Sequence, residues 1–356
     1  MKPDKIPALI LVGGFLGAGK TTLILHAADL LRRRGLHAAV ITNDQDSGLV
    51  DTRISAARDI ENREVPGGCF CCRFSDLLDA AEQLTAWQPD VIFAEPVGSC
   101  VDISATILQP FKAYHRHQFR LAPYTVLVDP ELARRVYAGE ADADVTFLFQ
   151  KQIAEADLLC LTKADLSATS PSLPAPADFH MSAITGAGVD EWLEEVLNAR
   201  RVVGAHILDV DYSRYTEAEA ALGWLNLHAD IALRTPLSPS ALTGPLLDEL
   251  DSAITAAAIR IAHLKVFDQT ASGYVKAGIC ANGDEPRPEG DLAASPEDHH
   301  ELVVNLRAIG DPRQLEAIVR RALDGIEGTV TVRHARAFRP APPTPEHRFT
   351  ACYSVG

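Results

Sequence analysis

The sequence has 356 residues, of which 47% are hydrophobic and 23% charged, as is typical of a globular chain long enough for two domains. Its formal net charge of −15 disfavours a nucleic-acid partner, because binding a phosphate backbone requires a basic surface. No apolar run approaches the length of a membrane span, and residues 1–7 lack the apolar core of a signal peptide. We therefore expect a cytoplasmic protein without a membrane partner.

The most informative motif lies near the N-terminus, where an apolar run at 8–12 precedes a glycine-rich loop and an amphipathic helix. The spacing Gly14-xxxx-Gly19-Lys20-Thr21 is that of a phosphate-binding loop. Glycines let several backbone N–H groups point at one centre, and the helix N-terminus adds a partial positive charge. We expect Lys20 to reach the outer phosphates and the Thr21 hydroxyl to bind magnesium. The predicted phosphate-binding residues are Gly14, Gly17, Ala18, Gly19, Lys20, Thr21 and Thr22.

Short apolar runs alternate with helical patterns from this motif to about residue 200. The runs at 38–42, 91–94, 124–128 and 158–161 are typical of buried parallel strands. Strict alternation of strand and helix predicts a doubly wound α/β sheet, mostly parallel, with helices on both faces. Ligands of such sheets bind at the carboxyl ends of the strands, so polar residues there are candidates for the site.

Two of these strand ends carry residues suited to a phosphate and its metal ion. Asp44 follows the second strand in a polar loop, where a nucleotide-sensing switch would lie. Glu95 ends the 91–94 run and is followed by Gly98. A carboxylate at this position can hold magnesium through water or orient a nucleophilic water. We therefore expect Thr21, Lys20 and Glu95 to contribute to a magnesium and catalytic group.

Two later strand ends carry residues suited to a purine base. Thr162-Lys163-Ala164-Asp165 follows the 158–161 run, and a carboxylate at Asp165 can accept two hydrogen bonds from guanine but not from adenine. The Lys163 stem would cover the base. Ser182 and Ala183 lie in a later strand-to-helix turn that suits a backbone contact with the base. These residues predict selection of a guanine nucleotide.

Three of the seven cysteines, Cys69, Cys71 and Cys72, fall within four positions of residues 66–72, which we call the cysteine loop. The preceding Pro66-Gly67-Gly68 breaks regular structure, so the three sulfurs can turn toward one ion and leave a fourth position open. This clustering indicates a metal or redox site rather than a disulfide framework. Thiolates suit zinc first, with cobalt and iron as further candidates. Cys100, just after the Glu95 strand, could approach this site, although we favour packing in the core.

The character of the sequence changes after about residue 200. We expect a nucleotide-binding domain over 1–203, a polar linker over 204–222, a second domain over 223–338 and a proline-rich tail over 339–356. The second domain reads as strand-helix-strand, a hairpin strand, and again strand-helix-strand. This order predicts a smaller α+β domain of the ferredoxin-like kind.

The motifs, taken in order, resemble the CobW/HypB/UreG family of P-loop GTPases, which insert or deliver metals. The Gly-Gly-Cys-Phe-Cys-Cys string is similar to the metal motif of the CobW-like branch, and Glu95-x-x-Gly98 matches the family's Glu-x-x-Gly. The resemblance implies GTP and Mg²⁺ at the phosphate-binding loop and a transition metal at the cysteines. It also implies that Asp44, in the first switch, and Gly98 belong to the magnesium and catalytic group with Thr21, Lys20 and Glu95. It also implies a client metalloprotein and a nucleotide-dependent homodimer. Thr162 departs from the asparagine of the family's Asn-Lys-x-Asp, which weakens the inference of guanine selection.

The sequence thus favours a GTPase metallochaperone in which nucleotide binding assembles the thiolate site. The alternative is a GTPase switch that regulates a partner and uses the cysteine loop as a redox sensor. A small-molecule kinase is disfavoured because no arginine-rich lid segment is evident. A partitioning ATPase is disfavoured because no lysine precedes Gly17 in the loop. We expect slow hydrolysis, since no arginine finger is identifiable.

Overall fold

The structure is a computed structural model that describes residues 6–43, 45, 60–166, 171, 173–198 and 200–353. Its contacts divide the described residues into two units. The first unit takes in residues 6–45 as described, 60–218 and 342–353, and the second takes in 219–341. Asp44 lies outside the described residues.

The first unit is built on a parallel sheet. Its described strands are β1 (Ala8–Gly14), β2 (Ala38–Asn43), β3 (Glu61–Val65), β4 (Val91–Glu95), β5 (Arg120–Leu121), β6 (Thr125–Val128), β7 (Leu158–Leu161) and β8 (Phe179–His180). They lie in the order β3-β2-β4-β1-β6-β7-β8, with β5 beside β1, and every pair is parallel. The carboxyl ends of β1, β2 and β4 therefore meet at one edge of the sheet.

Helices cover both faces of this sheet. The α-helices described are α1 (Lys20–Arg33), α2 (Phe74–Thr85), α3 (Pro130–Tyr137), α4 (Ala143–Glu155), α5 (Val189–Asn198) and α6 (Tyr212–Ala220). Two π-helical stretches, Ser104–Leu108 and Phe111–His115, lie between β4 and β5. Leu9 and Ile10 point to opposite faces of β1, and both are fully buried, as a doubly wound sheet requires. Trp192 of α5 lies in this core and donates from Nε1 to Thr125 Oγ1 at 3.0 Å. Among the described helices, none has both the length and the apolarity to cross a bilayer.

The second unit is an antiparallel sheet with two helices among its described elements. In chain order these are β9 (Leu222–Leu237), α7 (Pro239–Ala256), β10 (Arg260–Thr270), β11 (Gly273–Ile279), β12 (Glu289–Gly290), β13 (Glu297–Ile309), α8 (Pro312–Asp324) and β14 (Gly328–Phe338). The strand order is β12-β11-β10-β13-β9-β14. Its central part, β10-β13-β9-β14, is the split βαβ arrangement of ferredoxin-like domains, with β11 and β12 added at the edge. Trp224 is buried in this unit, and the Arg307 guanidinium lies 4.1 Å from its ring centroid.

The structure confirms the predicted fold class, a parallel α/β sheet followed by a smaller α+β domain, and it refines the segments between them. Residues 204–222, expected to be a linker, include α6, and they pack with the first unit as far as 218. Tyr215 of α6 is fully buried and its hydroxyl oxygen accepts from the Val101 N–H at 3.2 Å, which ties the segment down. Of the proline-rich tail, 342–353 also packs with the first unit. These contacts are between residues far apart in sequence, which local patterns do not report.

Replacing Leu247 of α7 with alanine tests the second core. Leu247 is fully buried, whereas Leu292 is about half exposed and serves as a matched control in the same unit. We expect Leu247→Ala to lower the free energy of unfolding by about 2–5 kcal/mol, because it removes buried methyl groups and leaves a cavity. Leu292→Ala should change it by less than about 0.5 kcal/mol. Urea denaturation measures both, and equal losses would contradict the packing described.

Candidate functional site

The loop between β1 and α1 has the backbone shape of a phosphate-binding loop. Gly17 and Gly19 have φ values of 75° and 91°, in the left-handed region that side chains rarely adopt. The Lys20 ammonium turns back on the loop and donates to Gly14 O at 3.0 Å and Phe15 O at 3.4 Å. Lys20 is 7% exposed, and a buried ammonium requires such partners. The loop thus holds a cation and a helix N-terminus at one point.

Thr21 and Glu95 meet at the carboxyl edge of the sheet, because β1 and β4 are neighbours. The Thr21 hydroxyl lies 3.0 Å from Glu95 Oε1 and 2.9 Å from Oε2, and it donates to this carboxylate. Both side chains are buried. A hydroxyl and a carboxylate in contact are the hard oxygen ligands that Mg²⁺ prefers, so the two residues fit the ion predicted for them.

The segment after β4, residues 96–102, rests directly on the phosphate-binding loop. A Cβ added to Gly98 would lie 2.8 Å from Leu16 Cδ2 and 3.0 Å from the Leu16 nitrogen, so only glycine fits here. Gln152 of α4 donates from Nε2 to Gly98 O and to Cys100 O, each at 2.9 Å. Gln152 is buried and holds the segment in place. Sequence reasoning missed Gln152, since a glutamine inside a helix gives no signal.

The residues predicted to contact the base lie beyond β7 and β8. Thr162 Oγ1 lies 2.9 Å from Ala18 O and 3.1 Å from Val128 O, so its hydroxyl braces the phosphate-binding loop. Lys163 pairs with Asp129 Oδ2 at 2.6 Å. Ala164 N–H donates to Met181 O at 3.1 Å, which brings this turn beside the one that carries Ser182 and Ala183. Asp165 is exposed on the first turn, Ser182 is buried and Ala183 is half-buried.

Asn43, the last residue of β2, holds the cysteine loop. Its Nδ2 donates to Val65 O at 2.8 Å and to Gly68 O at 2.7 Å, and its Oδ1 accepts from the Phe70 N–H at 2.8 Å. All three bonds go to backbone groups of the loop or of the residue before it. The sequence prediction concentrated on Asp44 and passed over Asn43, although an amide at the end of a buried strand is itself a signal of a backbone clamp.

The structure brings the three predicted cysteine sulfurs together. Cys69 Sγ lies 2.8 Å from Cys71 Sγ and 3.3 Å from Cys72 Sγ, and the latter two are 3.6 Å apart. Cys69 is extended, and a short 3-10 helix, Phe70–Arg73, turns the next two sulfurs back toward it. Cys69 and Cys71 are buried and Cys72 is half-buried. Among the residues described, this is the group of cysteine, histidine or acidic side chains whose ligand atoms are close enough for one ion.

The thiols of the cluster differ in acidity because they share hydrogen bonds. Bonds from Cys100, Cys71 and Cys72 lower the pKa of Cys69 well below its usual value. The bond to Cys69 raises the pKa of Cys71, and the same neighbour raises the pKa of Cys72 to about 11. Ionisation of Cys69 is therefore favoured, whereas ionisation of Cys71 and Cys72 would require a neutralising cation. This donor set fits a thiophilic divalent metal.

Cys100 meets both expectations drawn from the sequence, since it packs in the core and also approaches the cysteine cluster. It is buried, but its thiol forms a hydrogen bond with Cys69. Since the carbonyl of Cys100 is also held by Gln152, the 96–102 segment touches both the phosphate-binding loop and the cysteine cluster. The two predicted sites are thus joined by a short series of contacts.

The fold and this loop define a P-loop nucleotide-binding protein: a parallel sheet whose first strand leads through left-handed glycines into a helix. Residues 8–177 match the family model for the CobW/HypB/UreG nucleotide-binding domain. Over these residues the chain is similar to the nucleotide-binding domain of this family, which confirms the resemblance that the order of motifs indicated.

Curated relatives are similar over this same region. The chain is 31% identical over 175 residues to zinc chaperone YjiA of Escherichia coli, covering 47% of this chain and 52% of that protein. It is 29% identical over 190 residues to zinc chaperone CobW of Pseudomonas aeruginosa, covering 45% and 49%. The chain thus spans about half the length of the curated relatives it matches. A solved structure of Zn(II)-bound YjiA GTPase from E. coli aligns at 16% identity and a TM-score of 0.37, over 90% of this chain and 99% of that one.

Replacing Asn43 with alanine tests the clamp on the cysteine loop. The change removes three hydrogen bonds and leaves buried backbone groups unpaired, so we expect zinc affinity to fall about 10–100-fold. Asn62→Ala is the matched control, because Asn62 makes one local bond, to Ile60 O at 3.1 Å. Competition with a chromophoric chelator measures both affinities. Equal affinities for Asn43→Ala and the unchanged protein would show that the clamp does not position the sulfurs.

Replacing Thr162 with valine tests the brace on the phosphate-binding loop. Valine keeps the shape and removes the hydroxyl bond to Ala18 O, so we expect a fluorescent GDP analogue to bind about 3–10-fold more weakly. Thr85→Val is the control, because its hydroxyl bonds only the nearby Glu82 O on an exposed helix end. A loss of binding in the control as large as in Thr162→Val would contradict this prediction.

Proposed function

We propose that this protein is a GTP-binding and GTP-hydrolysing metallochaperone that binds a transition metal at the cysteine loop and delivers it to a client metalloprotein. The observation that carries this proposal is the three-sulfur cluster, fixed by Asn43 to the sheet edge where the phosphate-binding loop lies. Zinc is the first candidate for the cargo, because the sulfur donors suit it and the curated relatives are zinc chaperones. Cobalt and iron are the next candidates.

The proposed nucleotide site uses the residues named from the sequence. The backbone N–H groups of 14–22 and the Lys20 ammonium would hold the phosphates, and Asp165 would accept from the guanine edge. Lys163, held by Asp129, would lie along the base, with Ser182 and Ala183 facing it. Magnesium, when bound, neutralises phosphate charge, and Thr21, Glu95 and Asp44 are the residues proposed to hold and orient it.

The proposed metal site holds its cargo through Cys69, Cys71 and Cys72. Three protein ligands leave a fourth position open on a tetrahedral ion. A ligand from the acceptor could bind the ion at this position before the protein sulfurs dissociate from it. A cytoplasmic location is part of the proposal, because clustered thiols that bind a metal suit a reducing compartment. A nucleotide-dependent homodimer is part of the proposal by analogy with the family only.

Nucleotide and metal are proposed to be coupled through the 96–102 segment. Gly98 packs against Leu16 of the phosphate-binding loop, and Cys100 bonds with Cys69 of the cluster. Glu95, which immediately precedes this segment, contacts Thr21. Order imposed by the nucleotide would therefore reach the sulfurs through a continuous series of contacts, and hydrolysis would release it.

Zinc affinity measured with and without a non-hydrolysable GTP analogue tests this function. We expect about 5–150-fold tighter zinc binding with the analogue, which is the usual range of coupling between two sites. Cys69→Ser/Cys71→Ser/Cys72→Ser should abolish tight zinc binding, whereas Cys160→Ser, at a buried cysteine of β7, should not.

Two outcomes would change the proposal in different ways. Equal zinc affinity in both nucleotide states would refute the coupling. A protein that binds no zinc but forms a reversible disulfide within the cluster would favour the alternative, a GTPase switch with a redox sensor. The 2.8 Å contact between Cys69 and Cys71 sulfurs is the observation that keeps this alternative open.

A further inference from the structure

Residues 342–353, which we call the strap, run across the cysteine loop. The Thr344 N–H donates to Cys72 Sγ at 3.1 Å, and the Glu346 N–H donates to Cys71 O at 3.0 Å. Pro345 between them has no N–H, and prolines favour an extended backbone. The two donors therefore face the same loop from an extended chain. One of these donors, the Thr344 N–H, bonds to the sulfur of Cys72, which is a proposed metal ligand.

The strap continues onto the helix that follows the cysteines. Glu346 Oε2 accepts from the Ser75 N–H at 3.1 Å and from the Ser75 hydroxyl at 2.6 Å. Ser75 lies in the first turn of α2, where a helix favours a negative charge. The His347 ring meets the Phe74 ring edge-on, with 5.1 Å between centroids. The contact between Glu346 and Ser75 lies at the surface, where both residues are exposed, whereas Phe74 is buried.

The strap is also fastened to the 96–102 segment by an ion pair. Arg348 Nε lies 2.7 Å from Asp102 Oδ2, and the Tyr212 hydroxyl donates to the same oxygen at 2.8 Å. Asp102 is 1% exposed and has a φ of 67°, so its carboxylate is held deep and in a constrained backbone. Burial raises the pKa of Asp102, while Arg348 and Tyr212 oppose that shift. One side chain of the strap thus neutralises a charge on the segment proposed to report nucleotide.

The strap covers the side from which an acceptor would approach. Cys72 is the most exposed of the three sulfurs, and the Thr344 N–H points at it. An N–H donor satisfies a sulfur without replacing it as a metal ligand, so the strap shields the site and does not complete it. An acceptor group that approaches from the Cys72 side would meet the strap first.

We propose that the strap is an internal occupant of the surface on which the metal-accepting protein docks, and that this partner presents an extended peptide segment in its place. The fitting segment has an acidic residue for Ser75 and a basic residue two positions later for Asp102, as Glu346 and Arg348 have here. This proposal rests on the proposed function, because it assigns the docking surface of the same site. In this proposal, the strap and the partner's peptide segment compete for the same surface during metal delivery.

The first test loosens the strap in the full-length protein. In Glu346→Ala/Arg348→Ala, we expect alkylation of Cys72 in the metal-free protein, followed by mass spectrometry, to become at least tenfold faster. Zinc loss to excess chelator should accelerate by a similar factor, with zinc stoichiometry unchanged. The matched control is Glu316→Ala/Arg320→Ala, which removes an exposed acid–base pair on α8 and should leave both rates within twofold. Unchanged alkylation in the strap variant would overturn the proposal.

The second test asks whether the uncovered surface takes a peptide. A labelled synthetic peptide of residues 342–353, with serine at the position of Cys352, should bind the strap variant at least tenfold more tightly than the unchanged protein. It should also slow alkylation of Cys72 in that variant. Equal binding to both proteins, or to neither, would overturn the competition.

These measurements test the docking surface independently of the proposed metallochaperone function. Alkylation and peptide binding need no metal, so a protein that binds no zinc but shows both effects would refute the chaperone and keep the docking surface. If the double variant is destabilised, as circular dichroism would show, Glu346→Ala alone removes only the surface contact with Ser75. We expect that single variant to alkylate about threefold faster, and no change in its rate would again overturn the proposal.

Discussion

The Asn43 carboxamide is the interaction on which the rest of the site depends. A glycine-led loop has no regular hydrogen bonds of its own, and buried carbonyl groups without partners are costly. Asn43 supplies partners for Val65, Gly68 and Phe70 from the end of a fully packed strand. These bonds hold the three sulfurs in fixed positions relative to the sheet, although the sulfurs lie on a loop. Asn43 ends the strand that lies beside β4, where Thr42 is opposite Glu95, so the clamp joins the cysteine loop to the sheet edge that carries Glu95.

Close backbone approach, rather than any single strong bond, links the phosphate-binding loop to the cysteines. Gly98 can lie against Leu16 only because it has no side chain, and Gln152 keeps it there. Cys100, two residues further on, reaches Cys69. Packed backbones of this kind have few intermediate positions, so a small change at the loop is expected to move the segment as a whole. Coupling of this form needs no long-range electrostatic effect.

Local chemistry explains which parts were predictable from sequence. The strand, glycine loop and helix around Lys20 are specified by neighbouring residues, and the cysteine spacing after Gly67-Gly68 allows three sulfurs to lie close together. Alternating strand and helix patterns gave the parallel sheet. By contrast, Gln152 and the strap act on residues far from them in sequence, and nothing in their own surroundings signals this. Residues 204–218 looked like a linker because they are polar, yet the burial of Tyr215 fixes them to the first unit.

The placement of tryptophans gives each unit its own optical reporter. Trp192 lies in the core of the first unit and Trp224 in that of the second, where the guanidinium of Arg307 sits over its ring. An indole beside a cation and an indole bonded to a threonine hydroxyl experience different local fields, so their emission maxima should differ. With Trp87 on the surface as an internal standard for solvent contact, the two halves of this chain can be followed separately by fluorescence without attaching a dye.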